Sequence, residues 1–505
     1  MSEIAIAFAS VAGLFTMILL GIPVGFALLS MSMLGMALLT GGMDLPLSLL
    51  GSTMFSAVRN YIFMVVPLFI LMGSFMTNSR VAAQLFDAAH LAVRRVTGGL
   101  GISTVFANTV FSAATGVSVA SAAIFSKIAM PEMQRHGYQT RLALGTIAGS
   151  SVLGMLIPPS LLMILYGLLT GVSIGSLFIA GVVPGIILAA LYSVSIYLRV
   201  RRNPALAGGQ PRGAARPATA EGSGPRPTAE RLLKNPAVAR FQRISVQHSD
   251  VSGDAAGARA GRGESAPDLT APGMPTATLD SPAGAASDGA MLVLVRSIPV
   301  LGLVALVIGG IWGGLFSPTE ASAIGALGAL CVGLFSGLTP RGIAKSIRDT
   351  AVSVGSIMLL LVAAQLYSRM LALSGLSKWT TERITSTLSS PTAIVILFVV
   401  LLLLLGMILD SSSIILLVTP LMLPVVLSAG IDPLWFGVVM IVAVEIGMLT
   451  PPFGIIPFAM SAVIGRSVKA EDVFIGAFPF VLAMLLLVGL MILYPPIVTW
   501  LPSLR

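Results

Sequence analysis

Long apolar runs occupy most of this sequence, and each is about as long as the path across a lipid bilayer. A transmembrane helix needs about 20 predominantly apolar residues. The runs are rich in Leu, Ala, Ile and Met and lack a two-residue alternation, which indicates helices rather than strands. The predicted spans are two passes in 4–40, hinged at Gly21-Ile22-Pro23, and then 61–78, 141–168, 177–198, 292–316, 320–338, 351–373, 393–409, 413–428, 434–450 and 472–495. The sequence therefore predicts an all-α polytopic membrane protein.

Charged side chains are too few for a soluble protein of this length. They make up 10% of the 505 residues, whereas a soluble domain carries about 25%. Residues 1–20 have no basic segment ahead of their apolar run, so we expect a retained helix and not a cleaved signal peptide. The single cysteine, Cys331, and three scattered histidines exclude a disulfide framework and a zinc cluster.

Most of the net charge of +9 lies in one stretch, residues 199–262, which holds 12 Lys and Arg against four Asp and Glu. Basic residues beside a span mark the cytoplasmic side of a membrane. Nucleic-acid binding is the alternative, but the position next to a span favours the topology signal, so no nucleic acid is expected as a partner. Residues 203–289, rich in Ala, Gly, Pro and Ser, predict a disordered basic cytoplasmic linker between two membrane repeats, 1–202 and 290–505.

The two hydrophobic halves repeat one another. Gly154-Met-Leu-Ile-Pro-Pro159 matches Gly447-Met-Leu-Thr-Pro-Pro452 at an offset of 293 positions. The same offset pairs Pro131 with Pro424, Gly137 with Gly430, and Ser118 with Ser411. Several special residues at one constant offset indicate a duplication.

A Pro-Pro pair inside an apolar span breaks the helix, because proline lacks the amide hydrogen and clashes with the preceding turn. The freed backbone groups cannot face lipid, so they must be buried in protein or line a wet cavity. Matched breaks in two halves are the best sequence pointer to a transporter's binding site, where helix C-termini coordinate cations and N-termini favour anions. An ordinary kink or a surface loop is the alternative for either break, and the matching of the two copies disfavours it.

A small, hydroxyl-rich segment lies about 40 residues before each break: Ser112-Ala-Ala-Thr-Gly-Val-Ser118 within 102–130, and Gly406-Met-Ile-Leu-Asp-Ser-Ser-Ser413 within 393–425. We expect these segments to be the tips of re-entrant hairpins. Asp410 follows 17 largely apolar positions, and an ionisable side chain inside a membrane indicates function. The alternative is an Asp that caps a helix at the interface.

Hydroxyl, carbonyl and carboxylate oxygens suit a hard cation such as sodium, and protons remain the alternative coupling ion. Ser317-Pro-Thr-Glu320 spells a capping box, so Glu320 is interpreted as a helix start rather than a ligand. Glu445, two residues before Gly447, is interpreted as a supporting residue behind the site.

At these positions the sequence resembles the large membrane subunit of tripartite ATP-independent periplasmic (TRAP) transporters. The resemblance lies in Gly149-Ser-Ser-Val-Leu-Gly-Met-Leu-Ile-Pro-Pro-Ser160, Tyr166-Gly167, Ser173–Gly185, Ser317-Pro-Thr-Glu-Ala321 and Leu449-Thr-Pro-Pro-Phe-Gly454, and it covers both hydrophobic halves. The long central linker departs from the family pattern and suggests a lineage-specific insertion.

The resemblance implies a sodium-coupled importer of organic anions, usually carboxylates such as C4-dicarboxylates or sugar acids, that works by an elevator movement in the bacterial inner membrane. It implies two partners, a small four-helix membrane subunit, expected as a separate chain, and a periplasmic substrate-binding protein. No cofactor is implied besides sodium as the coupling ion. The implied sodium-binding positions are Ser112, Thr115, Gly116, Ser118, Ile157, Pro158, Gly406, Asp410, Ser411, Ser412, Thr450 and Pro451, and the implied substrate-binding positions are Pro159, Ser160, Ser413 and Pro452.

Two inverted-topology repeats are expected, each with an odd number of crossings, so that both termini are periplasmic if the linker is cytoplasmic. The nearest rival is a stand-alone ion-coupled anion symporter of the divalent-anion or arsenite-like type, which shares broken helices and hairpins. A membrane scaffold that transports nothing is a second alternative. A membrane enzyme is the third, although no nucleophile–base pair or metal motif stands out.

Overall fold

The computed structural model describes residues 2–208, 290–465 and 468–504, and all of these belong to one compact unit. From residue 209 onward, the predicted linker therefore lies outside the described residues. Its first residues form a 3-10 turn at Pro204–Leu206 and an antiparallel bridge between Ala207 and Tyr138. The structured part of the first repeat thus continues a few residues beyond the predicted boundary at 202.

Helices account for nearly all regular structure in both described halves. The helices before the linker are α1 (Glu3–Leu19), α2 (Val24–Thr40), α3 (Asp44–Arg59), α4 (Val65–Thr77), α5 (Val81–Val93), α6 (Gly99–Thr115), α7 (Ser118–Arg135), α8 (Thr140–Leu156), α9 (Leu161–Thr170) and α10 (Ile174–Arg202). Those after it are α11 (Ala290–Trp312), α12 (Pro318–Phe335), α13 (Pro340–Leu373), α14 (Leu376–Thr387), α15 (Pro391–Gly406), α16 (Ser411–Ser428), α17 (Pro433–Leu449), α18 (Ile455–Ile464), α19 (Ala470–Leu493) and α20 (Pro496–Thr499).

The helix starts follow local chemistry. Proline occupies the first position of α13, α15 and α17, where its missing N–H has no intrahelical partner to lose. Ser317 and Glu320 form a reciprocal capping box at the start of α12, as the sequence predicted. Glu320 is therefore a capping residue.

The polytopic all-helical fold is confirmed. Among the described residues, seven helical stretches are long and apolar enough to cross a membrane, with Thr140–Thr170 counted as one, and an eighth qualifies if the bent pair Asp44–Ala57 and Tyr61–Thr77 is a single span. The predicted span 61–78 needs correction, because a 3-10 turn occupies Tyr61–Met64 and the α-helix begins only at Val65.

Five helices lie outside the predicted spans and hairpins, namely α3, α5, α14, α18 and α20, and α13 begins earlier than predicted. α3, α5 and α14 are 12 to 16 residues long, which is too short for the length criterion that identifies a span. α13 starts at Pro340 and not near 351. The prediction missed its first turns because they carry the charged residues of Arg341-Gly-Ile-Ala-Lys-Ser-Ile-Arg-Asp349, which interrupt the apolar run. Helix formation needs capping and periodicity, not continuous apolarity.

The duplication is visible helix by helix. α7 and α16 are both 18 residues long with Pro131 and Pro424 at matching interior positions, and α8 and α17 are both 17 residues long. Gly137 and Gly430, which follow α7 and α16, both have positive φ, 75° and 67°. The Pro-Pro peptide is cis in both copies.

Each half therefore contains a hairpin, α6–α7 or α15–α16, followed by a broken helix, α8–α9 or α17–α18. Within each half the first hairpin arm packs along the first segment of the broken helix, α6 on α8 and α15 on α17. The second segments are exchanged between halves, since α9 packs on α16 and α18 packs on α7. This reciprocal packing brings both hairpin tips and both breaks into one region.

Candidate functional site

The first hairpin tip consists of Gly116 and Val117, between the end of α6 and the start of α7. Gly116 has a φ of 65°, and a Cβ built on it would lie 3.3 Å from the Pro159 carbonyl oxygen and 3.5 Å from the Leu161 nitrogen. The glycine thus allows both the left-handed turn and the close approach to the break. We call this contact between tip and break the first junction.

The second junction has the same plan. The tip is Met407–Asp410 and the break runs from Thr450 to Gly454. A Cβ on Gly447 would lie 2.6 Å from the Gly406 Cα, and one on Gly406 would lie 2.8 Å from the Gly447 Cα. The backbones of α15 and α17 therefore touch where the Gly-Met-Leu-x-Pro-Pro motif begins.

Each junction joins two helix C-termini and two helix N-termini. At the first, α6 and α8 end where α7 and α9 begin, and at the second, α15 and α17 end where α16 and α18 begin. The last carbonyls of a helix carry partial negative charge and its first amides carry partial positive charge. The same region can therefore hold cations against the carbonyls and an anion against the amides.

A buried hydrogen-bond network supports the first junction. The Asn108 amide nitrogen donates to Ser150 Oγ at 2.7 Å and to the Ile147 carbonyl oxygen at 3.3 Å. The Asn108 amide oxygen accepts from Ser112 Oγ at 3.3 Å and from Ser121 Oγ. Asn108, Ser121 and Ser150 were not predicted from the sequence, although an amide in an apolar run was the available signal.

Asp410 lies at the second tip as the N-cap of α16. Its carboxylate accepts from the Ser413 backbone N–H at 3.0 Å and from Ser413 Oγ at 2.5 Å, and the residue is exposed. The capping role, which was the alternative from the sequence, is therefore confirmed. A role for Asp410 in cation binding stays a prediction.

Glu445 is the one Asp, Glu, Lys, Arg or His that is buried within the described part of the chain, with 1% of its surface exposed. Ser411 Oγ, at the start of α16, donates to its Oε1 at 2.8 Å. The Ser118 hydroxyl, at the start of α7, lies beside the same carboxyl group. Glu445 is thus at the meeting point of both hairpins, closer to the site than its predicted supporting position.

The other predicted residues lie at the two junctions, but their surroundings differ. Thr115 Oγ1 donates to the Ser112 carbonyl oxygen at 3.3 Å, and Thr450 Oγ1 donates to the Ile446 carbonyl oxygen at 2.6 Å. The Ser160 hydroxyl caps α9. Among the remaining predicted positions, Pro158 and Pro159 are buried, Ile157 and Ser412 are half-buried, and Pro451 and Pro452 are exposed.

A narrow groove with room for about one water molecule lies at the first junction, between the tip, the break and α4. Its lining includes Thr115, Gly116 and Pro159, together with Phe69 and Met72 of α4. The two α4 residues were not predicted, because a single apolar side chain in an apolar run carries no sequence signal. The groove shows that the first tip borders an accessible space.

Two hairpins facing two interrupted helices inside a polytopic helical protein are typical of membrane transporters. The family model described as "Tripartite ATP-independent periplasmic transporter, DctM component" matches residues 11–497. The chain therefore belongs to the large-permease family of TRAP transporters. It is a multi-pass protein of the inner membrane, and the family consists of permeases rather than enzymes.

Curated relatives span nearly the whole chain. The C4-dicarboxylate TRAP transporter large permease of Pseudomonas aeruginosa is 28% identical over 89% of this chain and 86% of its own length. The ectoine TRAP transporter large permease of Halomonas elongata is 27% identical over 98% of both chains. The structure of the Alcanivorax borkumensis YdaH transporter shares the fold, with a TM-score of 0.51, 14% identity and 87% coverage of both chains.

Proposed function

We propose that this chain is the permease of a sodium-coupled TRAP system that imports an organic acid delivered by a periplasmic binding protein. The observation that carries the proposal is the pair of junctions, each of which joins helix C-termini, helix N-termini and hydroxyl side chains at one place. A sodium ion at each junction would contact helix-end carbonyls and tip hydroxyls. The substrate carboxylate would lie between the junctions, near the N-termini of α9 and α18.

The substrate class is a carboxylate such as a C4-dicarboxylate or a sugar acid. Relatives of this chain carry names that refer to C4-dicarboxylates, 2,3-diketo-L-gulonate and sialic acid. Ectoine, in another relative's name, widens the panel that has to be tested. Transport would follow an elevator movement, in which the hairpins and broken helices carry ions and substrate across the membrane together.

The proposed partners are a small four-helix membrane subunit and a soluble binding protein. The exposed apolar faces of α1, α2 and α11 include Phe8, Phe26, Leu38, Ile298 and Leu301, and they give lipid or a helical subunit ample apolar surface. This surface is compatible with the partners that the family implies.

The test is uptake in proteoliposomes that contain the chain with its small subunit, with and without the binding protein. The panel is succinate, a sugar acid, sialic acid and ectoine, each with and without an inward sodium gradient. We expect one carboxylate to accumulate only when both the sodium gradient and the binding protein are present. Uptake that persists without any binding protein would favour the stand-alone symporter.

Asp410→Asn should abolish sodium-dependent accumulation in the same assay. Asp432→Asn is the matched control, because Asp432 is also an exposed N-cap Asp, of α17, and accepts from the Leu434 N–H at 2.8 Å at the opposite end of that helix from the break. Equal uptake by both variants would remove Asp410 from the proposed site. Loss of uptake in both would show only that capping is required.

A further inference from the structure

The proposed function assigns no role to Glu445, although this side chain lies between the two hairpins. It lies on α17, five residues before the break, and its carboxyl group faces the first residue of the second arm of both hairpins, Ser411 by a 2.8 Å hydrogen bond and Ser118 by proximity. Ser118 and Ser411 are equivalent residues of the two repeats. One side chain therefore faces a repeat-related pair of hydroxyls.

The contact with the second hairpin is already made, while the contact with the first is incomplete. Glu445 Oε2 and Ser118 Oγ are both buried and have no hydrogen-bond partner among the described residues. A buried polar atom without a hydrogen bond destabilises the folded protein. A small movement of either hairpin tip would bring these two atoms into hydrogen-bonding geometry.

The repeats do not share this carboxylate. The position equivalent to Glu445 in the first repeat is Val152, which lines the same small apolar cavity as Glu445, Met155 and Met484. If each hairpin needed its own support, a polar residue would be expected at both positions. A single carboxylate facing both hairpins instead makes the position of one tip depend on the other.

We propose that Glu445 is a positioning residue that ties the two hairpin tips together and so couples cation binding at the two junctions. The proposal rests on the proposed function, since it presumes a sodium ion at each junction. When an ion orders one tip, the tie holds Glu445 in place for the other hairpin, and the second ion binds more tightly. Such coupling between sites typically changes affinity by about 5- to 150-fold.

The test distinguishes the length of the side chain at position 445 from its charge, and it measures the binding of sodium ions. Equilibrium sodium binding is measured on the purified full chain, and its Hill coefficient is compared among variants. Glu445→Gln keeps the length, and its amide can accept from Ser411 and donate to Ser118. Glu445→Asp keeps the charge but withdraws the carboxylate by about one carbon–carbon bond, ~1.5 Å.

We expect a Hill coefficient clearly above 1, up to about 1.8, for the wild type and for Glu445→Gln, since two sites coupled about 5- to 150-fold reach no higher value. For Glu445→Asp we expect a value of about 1 or lower and a half-saturating sodium concentration raised about two- to twelvefold. Val152→Ala, at the equivalent position of the first repeat, is the matched control and should leave the Hill coefficient unchanged. A residue with a merely structural role would alter unfolding temperature without altering the Hill coefficient.

Two results would overturn the tie. The first is cooperative binding in Glu445→Asp equal to that of the wild type, and the second is non-cooperative binding in the wild type itself. Either result leaves sodium coupling intact as a proposed function. Absence of any sodium binding in the wild type would overturn the proposed function together with the tie.

Discussion

The two junctions share one backbone plan but differ in what surrounds it. At the first, Ser112, Ser118, Pro158 and the residues next to them are mostly buried, whereas at the second Asp410 and residues 451–453 are exposed. The helices on either side of the two breaks have equal lengths, but the first break has four residues and the second has five. Both repeats therefore place a hairpin tip against a helix break, and the two junctions differ in their side chains.

Their polar groups differ in the same way. The first hairpin is supported by a neutral amide and hydroxyl network around Asn108, while Ile414 and Ala443 stand at the positions equivalent to Ser121 and Ser150. The second junction carries the carboxylates of Asp410 and Glu445 instead. A cation at the second junction would therefore be neutralised by a carboxylate, and one at the first would rely on neutral oxygen atoms.

The largest effect is expected from filling the glycine contacts that both junctions share. A Cβ on Gly154 would lie 2.6 Å from the Ser112 carbonyl carbon, and one on Gly447 would lie 2.6 Å from the Gly406 Cα. Because backbone cannot yield as a flexible side chain does, Gly154→Ala and Gly447→Ala should each destabilise the protein by about 1–3 kcal/mol. Thermal unfolding in detergent measures the effect.

Gly489→Ala serves as the control for this pair. Gly489 lies in α19, and a Cβ there meets no atom within 4 Å, so the unfolding temperature should stay equal or rise slightly. If Gly447→Ala unfolds like the wild type while Gly154→Ala does not, the two junctions do not share one packing plan.

A smaller effect, confined to the first repeat, is expected from Asn108→Leu. The substitution removes the amide that Ser112, Ser121 and Ser150 share. Ser112 still bonds Ser121, and Ser150 still bonds the Ile147 carbonyl oxygen, so the loss should cost only about 1 kcal/mol. Thr109→Val on the same helix is the control, because Thr109 Oγ1 bonds only the Val105 carbonyl oxygen of its own helix and its loss should cost little. Equal unfolding temperatures for the two variants would show that the hydrogen bonds of Asn108 do not stabilise the first junction.

The smallest effect is a pH dependence that belongs to the first repeat. Burial, followed by the nearby His136, lowers the pKa of His90 on α5, while Glu132 opposes the shift and Arg94 adds to it. The unfolded chain then binds the proton more readily, so stability should fall as the pH drops below about 6.5, the ordinary value for histidine. His90→Gln should flatten the decline in unfolding temperature between pH 7.5 and 5.5.

The equivalent helix of the second repeat offers the comparison. α14 carries the exposed pair Lys378 and Glu382 and no histidine, so Lys378→Gln should leave the pH profile as it is in the wild type. A profile that is unchanged in His90→Gln would assign the pH dependence of stability to titratable groups other than His90.

The sequence predicted the features that depend on backbone chemistry. Proline pairs, glycines and hydroxyl-rich tips mark breaks and turns by their own conformational preferences, so the break at Ile157-Pro158, the tip at Gly116 and the repeat offset were all visible. The short helices α3, α5 and α14 were missed, because their polarity and length resemble those of loops between spans. Local sequence therefore shows where an apolar helix is interrupted better than it shows short helices between the spans.

The composition of the site depended on packing and could be predicted only in part. Glu445 was noticed but placed behind the site, since nothing in the sequence shows that Ser411 and Ser118 converge on it from two hairpins. Asn108 is one amide in an apolar run, and its three hydroxyl partners are up to 42 positions away. The Asn108 contacts follow from the packing of α6, α7 and α8 on one another, which no local sequence pattern shows.

Counting the sodium ions bound per chain tests the central claim most directly. Equilibrium binding of radioactive sodium to the purified protein should give about two ions per wild-type chain and about one for Asp410→Asn, with the remaining ion at the first junction. Asp432→Asn should retain two. A wild-type chain that binds no sodium, or an Asp410→Asn variant that binds as many ions as the wild type, would contradict the account of two unequal cation sites.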